Sequence, residues 1–395
     1  MTTRDLPIAF VPPRYGPGVV GGAEAVVSEM AAGLAARGHR VEVLTTCARD
    51  HYTWANEFPA GELLVDGVTV RRFPAVRDTD GRDRHVIGNK ILAGDDVDVL
   101  DQYRWINGDL RVPALYDHLV DHARDYRLIV FAPYMFWTTF AGASVAPDRT
   151  VVMPCLHDEP TAYLDVFRPQ FEDSYALWFL SDPERALAER IARVPRRSAV
   201  LGAGVHVPAA YDPAGFRARH DLDGPFMLYA GRREHGKGWV SLLDHLETAR
   251  HVLDAPLRLV TCGVGEAGIA SGPADLVVDV GYLTDEERSN AMAAATAYVQ
   301  PSVMESFSRT IMEAWLAGTL VVANDASAVV RWHCERSGAG LTYRDRFEFT
   351  ECVRLVRDDP VLAEKIASAG RPYVLEHYDW AKVLDRVEAW LGEHA

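Results

Sequence analysis

Two glutamates, Glu305 and Glu313, are separated by seven residues in a stretch that follows a short apolar run ending at Pro301. The apolar run is typical of a buried strand, and Ser306 followed by apolar residues at helical spacing predicts a helix with Ser306 as its N-cap. The start of that helix would offer backbone N–H groups and a positive dipole end to a phosphate, while the carboxylates would accept hydrogen bonds from hydroxyls. This combination suits a sugar nucleotide. The alternative is that the glutamates only stabilise the helix dipole.

A second group of candidate residues lies in the loop at residues 231–238, which connects a predicted strand to a predicted helix. Arg232 and Lys237 flank a glycine turn in this loop. Two fixed cations beside a helix start can hold a diphosphate. Charged loops are also common on solvated surfaces, which is the alternative interpretation.

The glycine-rich loop at residues 14–22 follows the first predicted strand and precedes the first predicted helix. Gly16, Gly18 and Gly21 form a literal G-x-G-x-x-G, the fingerprint of dinucleotide binding. That fingerprint requires an acidic residue at the end of the second strand, and this strand ends in Leu-Thr-Thr at 44–46. We therefore expect the loop to let its backbone approach an anionic or sugar ligand, with a plain tight turn as the alternative.

The tetrapeptide HDEP at residues 157–160 follows a predicted strand over 150–153. His157 would then lie at the carboxyl end of a strand, where open α/β sheets bind ligands. A capped turn before the next helix is the alternative. One histidine and adjacent acids cannot all face one ion, so the motif predicts no metal site.

Composition limits the classes of protein to consider. A chain of 395 residues is long enough for two domains, and 48% hydrophobic with 25% charged residues is typical of a globular protein. The net charge of -15 argues against a nucleic-acid partner. The scattered cysteines predict reduced thiols and a cytoplasmic location. We also expect no signal region and no transmembrane segment, since no apolar run is long enough.

Strand and helix patterns alternate along the chain and predict two α/β domains. A predicted strand over 200–207 runs into Pro208, which marks the end of the first domain, 1–208. The same pattern of strand, loop and helix restarts in a second domain, 209–377. The remaining residues, 378–395, predict a C-terminal helix that crosses back to the first domain.

Four motifs occur in a fixed order: GGAE at 21–24, HDEP at 157–160, GR…KG within 231–238 and E-x7-E at 305–313, with RGH at 37–39 after the first. In this order and spacing they resemble the retaining glycosyltransferases of family 4, and the resemblance runs nearly end to end. It implies the α/β GT-B fold, in which two Rossmann-like domains have parallel sheets that face each other across a cleft. The first domain would bind the acceptor and the second the nucleotide-sugar donor.

The resemblance implies a role for each matching residue of the second domain. Arg232 and Lys237 would hold the donor diphosphate and stabilise it as it leaves. Glu313 would accept hydrogen bonds from the ribose hydroxyls, and Glu305 would contact the donor sugar. Backbone N–H groups of two residues would lie near the sugar or phosphate: Phe307 and Ser308. The base would lie near three more residues: Gly263, Tyr282 and Leu283.

In the first domain the resemblance implies that Gly21 and Gly22 line the cleft and that His157 contacts the transferred sugar near the reacting centre. One departure from the family concerns the residues after Glu305. The family often has E-G-F-G there, whereas this chain has serine at 306 and 308. Side chains at these positions narrow the approach of the backbone to the sugar.

The activity implied by the resemblance is transfer of a sugar from a UDP- or GDP-sugar to an acceptor hydroxyl, with retention of anomeric configuration and no cofactor. The leaving phosphate would help to deprotonate the acceptor, so no covalent nucleophile is required. A GT-B isomerase or phosphorylase, and a catalytically silent sugar-nucleotide-binding protein, are the alternatives. The acceptor, whether a glycan, a lipid-linked sugar or a small molecule, stays open, as does a peripheral membrane contact.

Aromatic residues near the ends of first-domain strands, at 51–56 and 134–137, are candidates for the acceptor site. Aromatic rings stack well on a sugar or an aglycone. Aromatic residues more often belong to the core, which is the alternative interpretation.

Three D-x-D triplets, at 78–80, 96–98 and 221–223, lie in charged, irregular stretches rather than after a buried strand. The cations Arg232 and Lys237 can replace a divalent ion as the charge that stabilises a leaving diphosphate. We therefore expect no catalytic metal.

Sugar transfer by this chain should accordingly persist in an excess of a chelator, measured as release of nucleoside diphosphate from the donor. The physical reason is that the stabilising charge is supplied by side chains. Loss of the activity, with recovery on adding manganese or magnesium, would contradict the prediction and make the D-x-D triplets candidates for metal binding.

Overall fold

The computed structural model describes residues 6–65, 67–77, 82–108, 110–255, 257–265 and 276–394. The chain divides into two compact units, one of Met1–Gly204 with Val383–Ala395 and the other of Val205–Lys382. Within the described ranges no helix is both long and apolar enough to cross a membrane. All five cysteines are buried free thiols.

The first unit is built around an eight-stranded sheet in the order β10-β9-β8-β7-β1-β2-β4-β3. Its neighbouring strands are parallel except for the antiparallel pair β3–β4. A short pair, β5–β6, is separate. The strands are β1 (Ile8–Val11), β2 (Val41–Thr46), β3 (Gly61–Val65), β4 (Val68–Phe73), β5 (Val76–Arg77), β6 (Leu110–Arg111), β7 (Leu128–Phe131), β8 (Thr150–Val152), β9 (Ala176–Phe179) and β10 (Ala199–Val200).

Helices connect these strands in the first unit. They are α1 (Gly22–Ala36), α2 (Arg82–Ala93), α3 (Val99–Asn107), α4 (Pro113–His122), α5 (Trp137–Gly142), α6 (Arg168–Glu172) and α7 (Asp182–Ile191). Strands β1, β7, β8 and β9 are buried along their whole length. Continuous burial is expected for central strands of a parallel sheet whose two faces are both covered.

The predicted strand over 200–207 ends much earlier than expected. The ladder stops after Val200, and the backbone N–H groups of Leu201 and Gly202 both donate to the Phe179 carbonyl oxygen. Gly202 has φ of +79°, a left-handed conformation that cannot continue a strand. The apolar run therefore leaves the sheet here.

The second unit contains a six-stranded, entirely parallel sheet in the order β13-β12-β11-β14-β15-β16. The strands are β11 (Met227–Ala230), β12 (Leu259–Cys262), β13 (Val277–Asp279), β14 (Ala297–Gln300), β15 (Leu320–Asn324) and β16 (Gly340–Tyr343). The helices are α8 (Pro213–Arg219), α9 (Trp239–Leu253), α10 (Asp285–Ala294), α11 (Arg309–Leu316), α12 (Ala328–Ser337), α13 (Arg346–Asp358), α14 (Pro360–Ala367), α15 (Gly370–His377) and α16 (Trp380–His394). The predicted α/β class, with two parallel sheets, is confirmed.

The last helix, α16, begins in the second unit and continues in the first from Val383 onward. In the first unit Trp390 donates from its indole N–H to the Arg197 carbonyl oxygen at 2.6 Å. Its ring also packs edge-on against that of Trp178, with centroids 5.1 Å apart. The end of α16 is thus part of the core of the first unit.

Helix α11 carries Glu313 and is held by a close contact with α15. Trp315 is fully buried, and its indole N–H donates to the Ala339 carbonyl oxygen at 2.9 Å. A Cβ atom on Gly370 would lie 2.4 Å from the Trp315 ring. Only a glycine lets α15 lie against the indole at this point.

Gly370→Ala should therefore lower the free energy of unfolding by about 1–3 kcal/mol, because a fixed, hydrogen-bonded indole has no room to move aside. Chemical denaturation followed by tryptophan fluorescence measures it. Gly392→Ala is the matched control, since it also lies in a helix but a Cβ there meets nothing within 4 Å. The control should be neutral or slightly stabilising, as alanine is the better helix former. Equal effects of the two substitutions would contradict the packing argument.

Candidate functional site

Lys237 and Glu305 form an ion pair in the second unit, with 2.8 Å between Lys237 Nζ and Glu305 Oε1. Both side chains are largely buried, with 29% of Lys237 and 14% of Glu305 exposed. Lys237 ends a short 3-10 turn, His235–Lys237, and Glu305 lies in the loop after β14. Two residues that the sequence predicts for one site are thus brought into contact.

A glycine explains why these two loops meet. Gly238 has φ of +72°, and a Cβ atom there would lie 2.3 Å from the Pro301 carbonyl oxygen. Any side chain at this position would push the turn away from the end of β14. Gly238 therefore sets the distance at which Lys237 reaches Glu305.

Arg232 lies at the carboxyl end of β11, and its ion pair is longer than that of Lys237. Its guanidinium is 3.4 Å from Glu234 Oε1, and its carbonyl oxygen accepts a hydrogen bond from the Tyr229 hydroxyl at 2.6 Å. The Tyr229 pKa is raised above its ordinary value by burial and by the negative charges of Glu305 and Glu234. Arg232 and Lys237 thus lie in the same loop but pair with different carboxylates, Glu234 and Glu305.

Gly263 follows β12 and lies against Gly231, the first residue of the loop at 231–238. It has φ of +135°, and a Cβ atom on it would lie 2.1 Å from the Gly231 carbonyl oxygen. Its N–H donates to the Gly281 carbonyl oxygen at 2.9 Å. The ends of β11, β12 and β13 therefore converge at the predicted base site, where Tyr282 is 64% exposed and Leu283 is half-buried.

Glu313 is bound by Arg288, a residue that the sequence analysis did not select. Arg288 Nε is 2.9 Å from Glu313 Oε2, and another guanidinium nitrogen is 3.1 Å from Oε1, so the pair is bidentate. Arg288 also contacts Asp285 Oδ1 at 2.8 Å. No motif marks Arg288, because it lies on α10 and reaches Glu313 only through the packing of α10 on α11.

The prediction that Ser306 caps the helix is wrong. Helix α11 begins at Arg309, and its N-cap is Ser308, whose φ of +66° is left-handed. The reason is that Phe307 turns into the core, where it packs against His333 and Tyr378. Glu313 consequently lies closer to the helix start than expected.

Ser308 occupies a conformation that favours glycine, which is the residue that the family often has here. Its hydroxyl accepts a hydrogen bond from the side-chain amide of Gln300 at 2.7 Å, and the same amide nitrogen is 3.2 Å from the Thr310 hydroxyl. The serine side chain is thus directed toward the end of β14. Burial lowers the pKa of nearby His333 to about 3, so its imidazole is neutral beneath Phe307.

In the first unit a buried ion pair holds the glycine-rich loop. Arg14 Nε donates to Glu24 Oε1 at 3.0 Å, and the guanidinium also donates to the carbonyl oxygens of Val20 and Arg49, each at 3.1 Å. Both side chains are less than 10% exposed. The loop is therefore a fixed turn that leads into α1.

The two glycines predicted to line the ligand site differ in their surroundings. A Cβ atom on Gly21 would lie 2.1 Å from Glu24 Oε2, so Gly21 makes room for the buried carboxylate. A Cβ atom on Gly22 would meet nothing within 4 Å. Gly22 thus presents open backbone at the start of α1, whereas Gly21 has a packing role.

His157 follows β8, and its partner is Glu159. His157 Nδ1 is 3.6 Å from Glu159 Oε1, the same oxygen that accepts from the hydroxyl of the buried Tyr134 at 3.1 Å. Burial alone would raise the pKa of Glu159, but His157 and the hydrogen bond from Tyr134 outweigh this effect, so the pKa lies below its ordinary value. A carboxylate thus stands beside the imidazole.

Two further sets of residues from the sequence analysis are the D-x-D triplets and the aromatic residues considered for the acceptor site. The triplet at 78–80 lies outside the described residues, and Asp98 caps α3 by accepting from the Asp101 N–H. In the part of the chain that the structure describes, no group of three histidine, cysteine or acidic residues could hold a metal ion. Of the acceptor aromatics, Trp54 and Tyr134 are buried in the core of the first unit.

Comparisons with known proteins show which proteins this chain is similar to. Residues 224–359 match the family model described as glycosyl transferases group 1. The chain is 26% identical to an alpha-maltose-1-phosphate synthase of Mycobacterium tuberculosis over 186 residues, 42% of this chain and 47% of the relative. It is 24% identical to a glycogen synthase of the same species over 407 residues, 95% of this chain and 92% of the relative.

A solved structure gives the fold over the whole chain. The structure of HepE from Anabaena in complex with UDP-glucose has a TM-score of 0.71 at 17% identity, covering 98% of this chain and 100% of that one. The alpha-maltose-1-phosphate synthase match spans about half of that relative's length. Two parallel-sheet α/β units with this likeness define a GT-B protein. These findings support the resemblance to the group 1 glycosyl transferases with the GT-B fold.

The lowered pKa of Glu159 predicts a specific acid sensitivity. Its ionised form contributes stability above the unfolded-state pKa of 4.5, and this contribution is lost as pH falls through the lower folded-state pKa. Glu159→Gln lacks this titration, so its free energy of unfolding should fall less steeply than the parent's below pH 4.5, by up to about 1.4 kcal/mol per pH unit. Denaturant melts from pH 6 to 3 measure the difference. Glu376→Gln, at an exposed position of α15, is the control. Parallel curves for the parent and Glu159→Gln would contradict the assignment.

Proposed function

We propose that this chain is a retaining glycosyltransferase that moves a sugar, of the hexose type, from a nucleotide-diphosphate sugar to an acceptor hydroxyl without a catalytic metal. The observation that carries the proposal is the family match over 224–359, because that range contains the four charged donor-site candidates: Arg232, Lys237, Glu305 and Glu313. We propose a cytoplasmic location for the reaction. The activity, the donor and the acceptor are all part of this proposal.

Donor binding would begin with an exchange of partners at Lys237. In the free protein its ammonium group is paired with Glu305 at 2.8 Å. A diphosphate carries more charge than one carboxylate and can take over Lys237 together with Arg232. As the bond to the sugar breaks, these cations would stabilise the negative charge that develops on the leaving diphosphate.

The carboxylate of Glu305, once released from Lys237, becomes an acceptor for a sugar hydroxyl. Glu305 is only 14% exposed, so a hydrogen bond that replaces the contact with Lys237 stabilises its ionised carboxylate. A sugar hydroxyl attached to the diphosphate supplies one. The diphosphate would therefore replace Glu305 as the partner of Lys237, and the sugar hydroxyl would replace Lys237 as the partner of Glu305.

Glu313 would bind the ribose. Its two oxygens each accept one bond from Arg288, and each oxygen has a further lone pair for a ribose hydroxyl. The bidentate contact fixes the plane of the carboxylate before the donor arrives. Such preorganisation lowers the entropy lost on binding.

His157 would contact the transferred sugar from the first unit. Glu159 beside it favours an imidazole N–H on the Nδ1 side, because that nitrogen faces the carboxylate. The leaving phosphate would accept the proton of the attacking hydroxyl on the same face of the sugar, which retains anomeric configuration. The HepE structure contains UDP-glucose, which supports a uridine donor as the first to test, followed by guanosine donors.

Calorimetry of two variants with UDP and UDP-glucose, and with GDP and GDP-mannose, tests the assignment. Glu313→Gln should weaken binding of the nucleoside diphosphate about tenfold, because one charged hydrogen bond is lost. Glu305→Gln should leave that binding unchanged or tighter, since Lys237 is released, and should weaken the full sugar nucleotide or slow transfer.

The control is Glu286→Gln, an exposed change on α10 near the same helix pair. If the two variants bind both ligands as the parent does, the glutamates are structural and the proposal fails. If binding follows the prediction but no acceptor supports turnover, the chain is a sugar-nucleotide-binding protein.

A further inference from the structure

A buried carboxyl group on α7 reaches the loop that carries His157. Glu184 is 1% exposed. Its Oε1 accepts a hydrogen bond from the Leu156 N–H at 2.8 Å, and its Oε2 accepts from the Leu180 N–H at 2.6 Å. The backbone N–H groups of Ser181 and Cys155 also donate to this carboxyl group. One side chain thus joins the segments that follow β8 and β9.

Capping of α7 explains only part of this arrangement. Ser181 is the N-cap and accepts from the Glu184 N–H, and Glu184 is the third residue of the helix. A capping box of this kind accounts for the return bond from Glu184 to the Ser181 N–H. It does not account for the bonds to Cys155 and Leu156, which belong to a separate crossover of the sheet.

The segment that receives these bonds has an unusual backbone. Cys155 is a non-glycine residue with φ of +53°, a left-handed conformation that L-residues adopt only when their surroundings hold them there. The Leu156 N–H, one residue later, is tied to Glu184. His157 is the next residue, so the direction in which its side chain leaves the sheet depends on this turn.

We propose that Glu184 is a positioning residue for His157. By accepting the N–H groups of Cys155 and Leu156, it holds the turn in the conformation that sets the imidazole beside Glu159. The proposal rests on the proposed function, since it assigns to His157 the contact with the transferred sugar. Glu184 itself lies in the core and touches no substrate.

The chemistry of the pocket around Glu184 explains why a carboxyl group is required. All four of its backbone partners are donors, and a carboxyl group offers acceptors on both oxygens. Glutamine has the same shape but presents an NH2 group on one side, which would face a backbone N–H. Glu184→Gln therefore keeps the packing and breaks the contact on one side, without leaving a cavity.

Nitrogen-15 labelling of histidine gives a readout that does not depend on activity. The ring signals of His157, assigned with His157→Ala, should shift in Glu184→Gln. They should stay in place in Ser181→Ala, the matched control, which removes the hydroxyl cap of α7 but not the bond to Leu156. Unmoved His157 signals in Glu184→Gln, or equal shifts in both variants, would overturn the proposal.

Hydrogen exchange of the unmodified chain covers the case in which Glu184→Gln does not fold. The Leu156 N–H should exchange as slowly as those of β8, because it donates to a buried carboxyl group. Exchange as fast as that of an exposed loop would show that the contact does not persist, and would also overturn the proposal.

Kinetics separate this inference from the proposed function. With the sugar nucleotide that binds in calorimetry, Glu184→Gln should lower kcat at least tenfold while the KM for the donor stays within about twofold. In the His157→Ala background the same substitution should have no further effect on kcat. An equal loss in both backgrounds would mean that Glu184 acts on stability alone and would overturn the inference. If His157→Ala has parent activity, the role of His157 in the proposed function fails, and the histidine signals still decide whether Glu184 positions it.

Discussion

The ion pair between Lys237 and Glu305 sets the condition under which an anion can bind to the second unit. A phosphate that approaches Lys237 must replace a largely buried carboxylate, so the net gain is the difference between two charge-assisted hydrogen bonds. The carboxylate also loses its contact with Lys237, and a donor that replaces this contact offsets the loss. A ligand that joins a diphosphate to a hydroxyl-bearing sugar meets both requirements, whereas inorganic phosphate meets only one.

The two units hold their functional loops by different physical means. In the second unit, close backbone approaches at Gly238 and Gly263 bring the strand ends together, and no side chain fits between them. In the first unit, buried charged groups hold the loops: Arg14 ties the glycine loop to Glu24, and Glu184 ties the turn before His157. Both means produce loops whose shape exists before a ligand binds, which reduces the ordering cost of binding.

Several features of the fold and of the candidate site could be predicted from local sequence. Short apolar runs followed by glycine or charged loops mark the buried parallel strands, because a strand covered on both faces must be apolar throughout. The carboxyl ends of such strands lie at one edge of the sheet. The resemblance to family 4 implied that Arg232, Lys237 and Glu305 serve one donor site, and the structure pairs Lys237 with Glu305.

Tertiary structure alone decided which side chains meet. Arg288 belongs to no motif, and it binds Glu313 because α10 and α11 pack side by side. The N-cap of α11 is Ser308 rather than the predicted Ser306, because Phe307 buries its ring in the core instead of joining the helix. The sequence by itself determined the strands, the loops and the charges placed on them, since these depend on neighbours along the chain. The partners of those charges depend on contacts between distant segments, which no local pattern records.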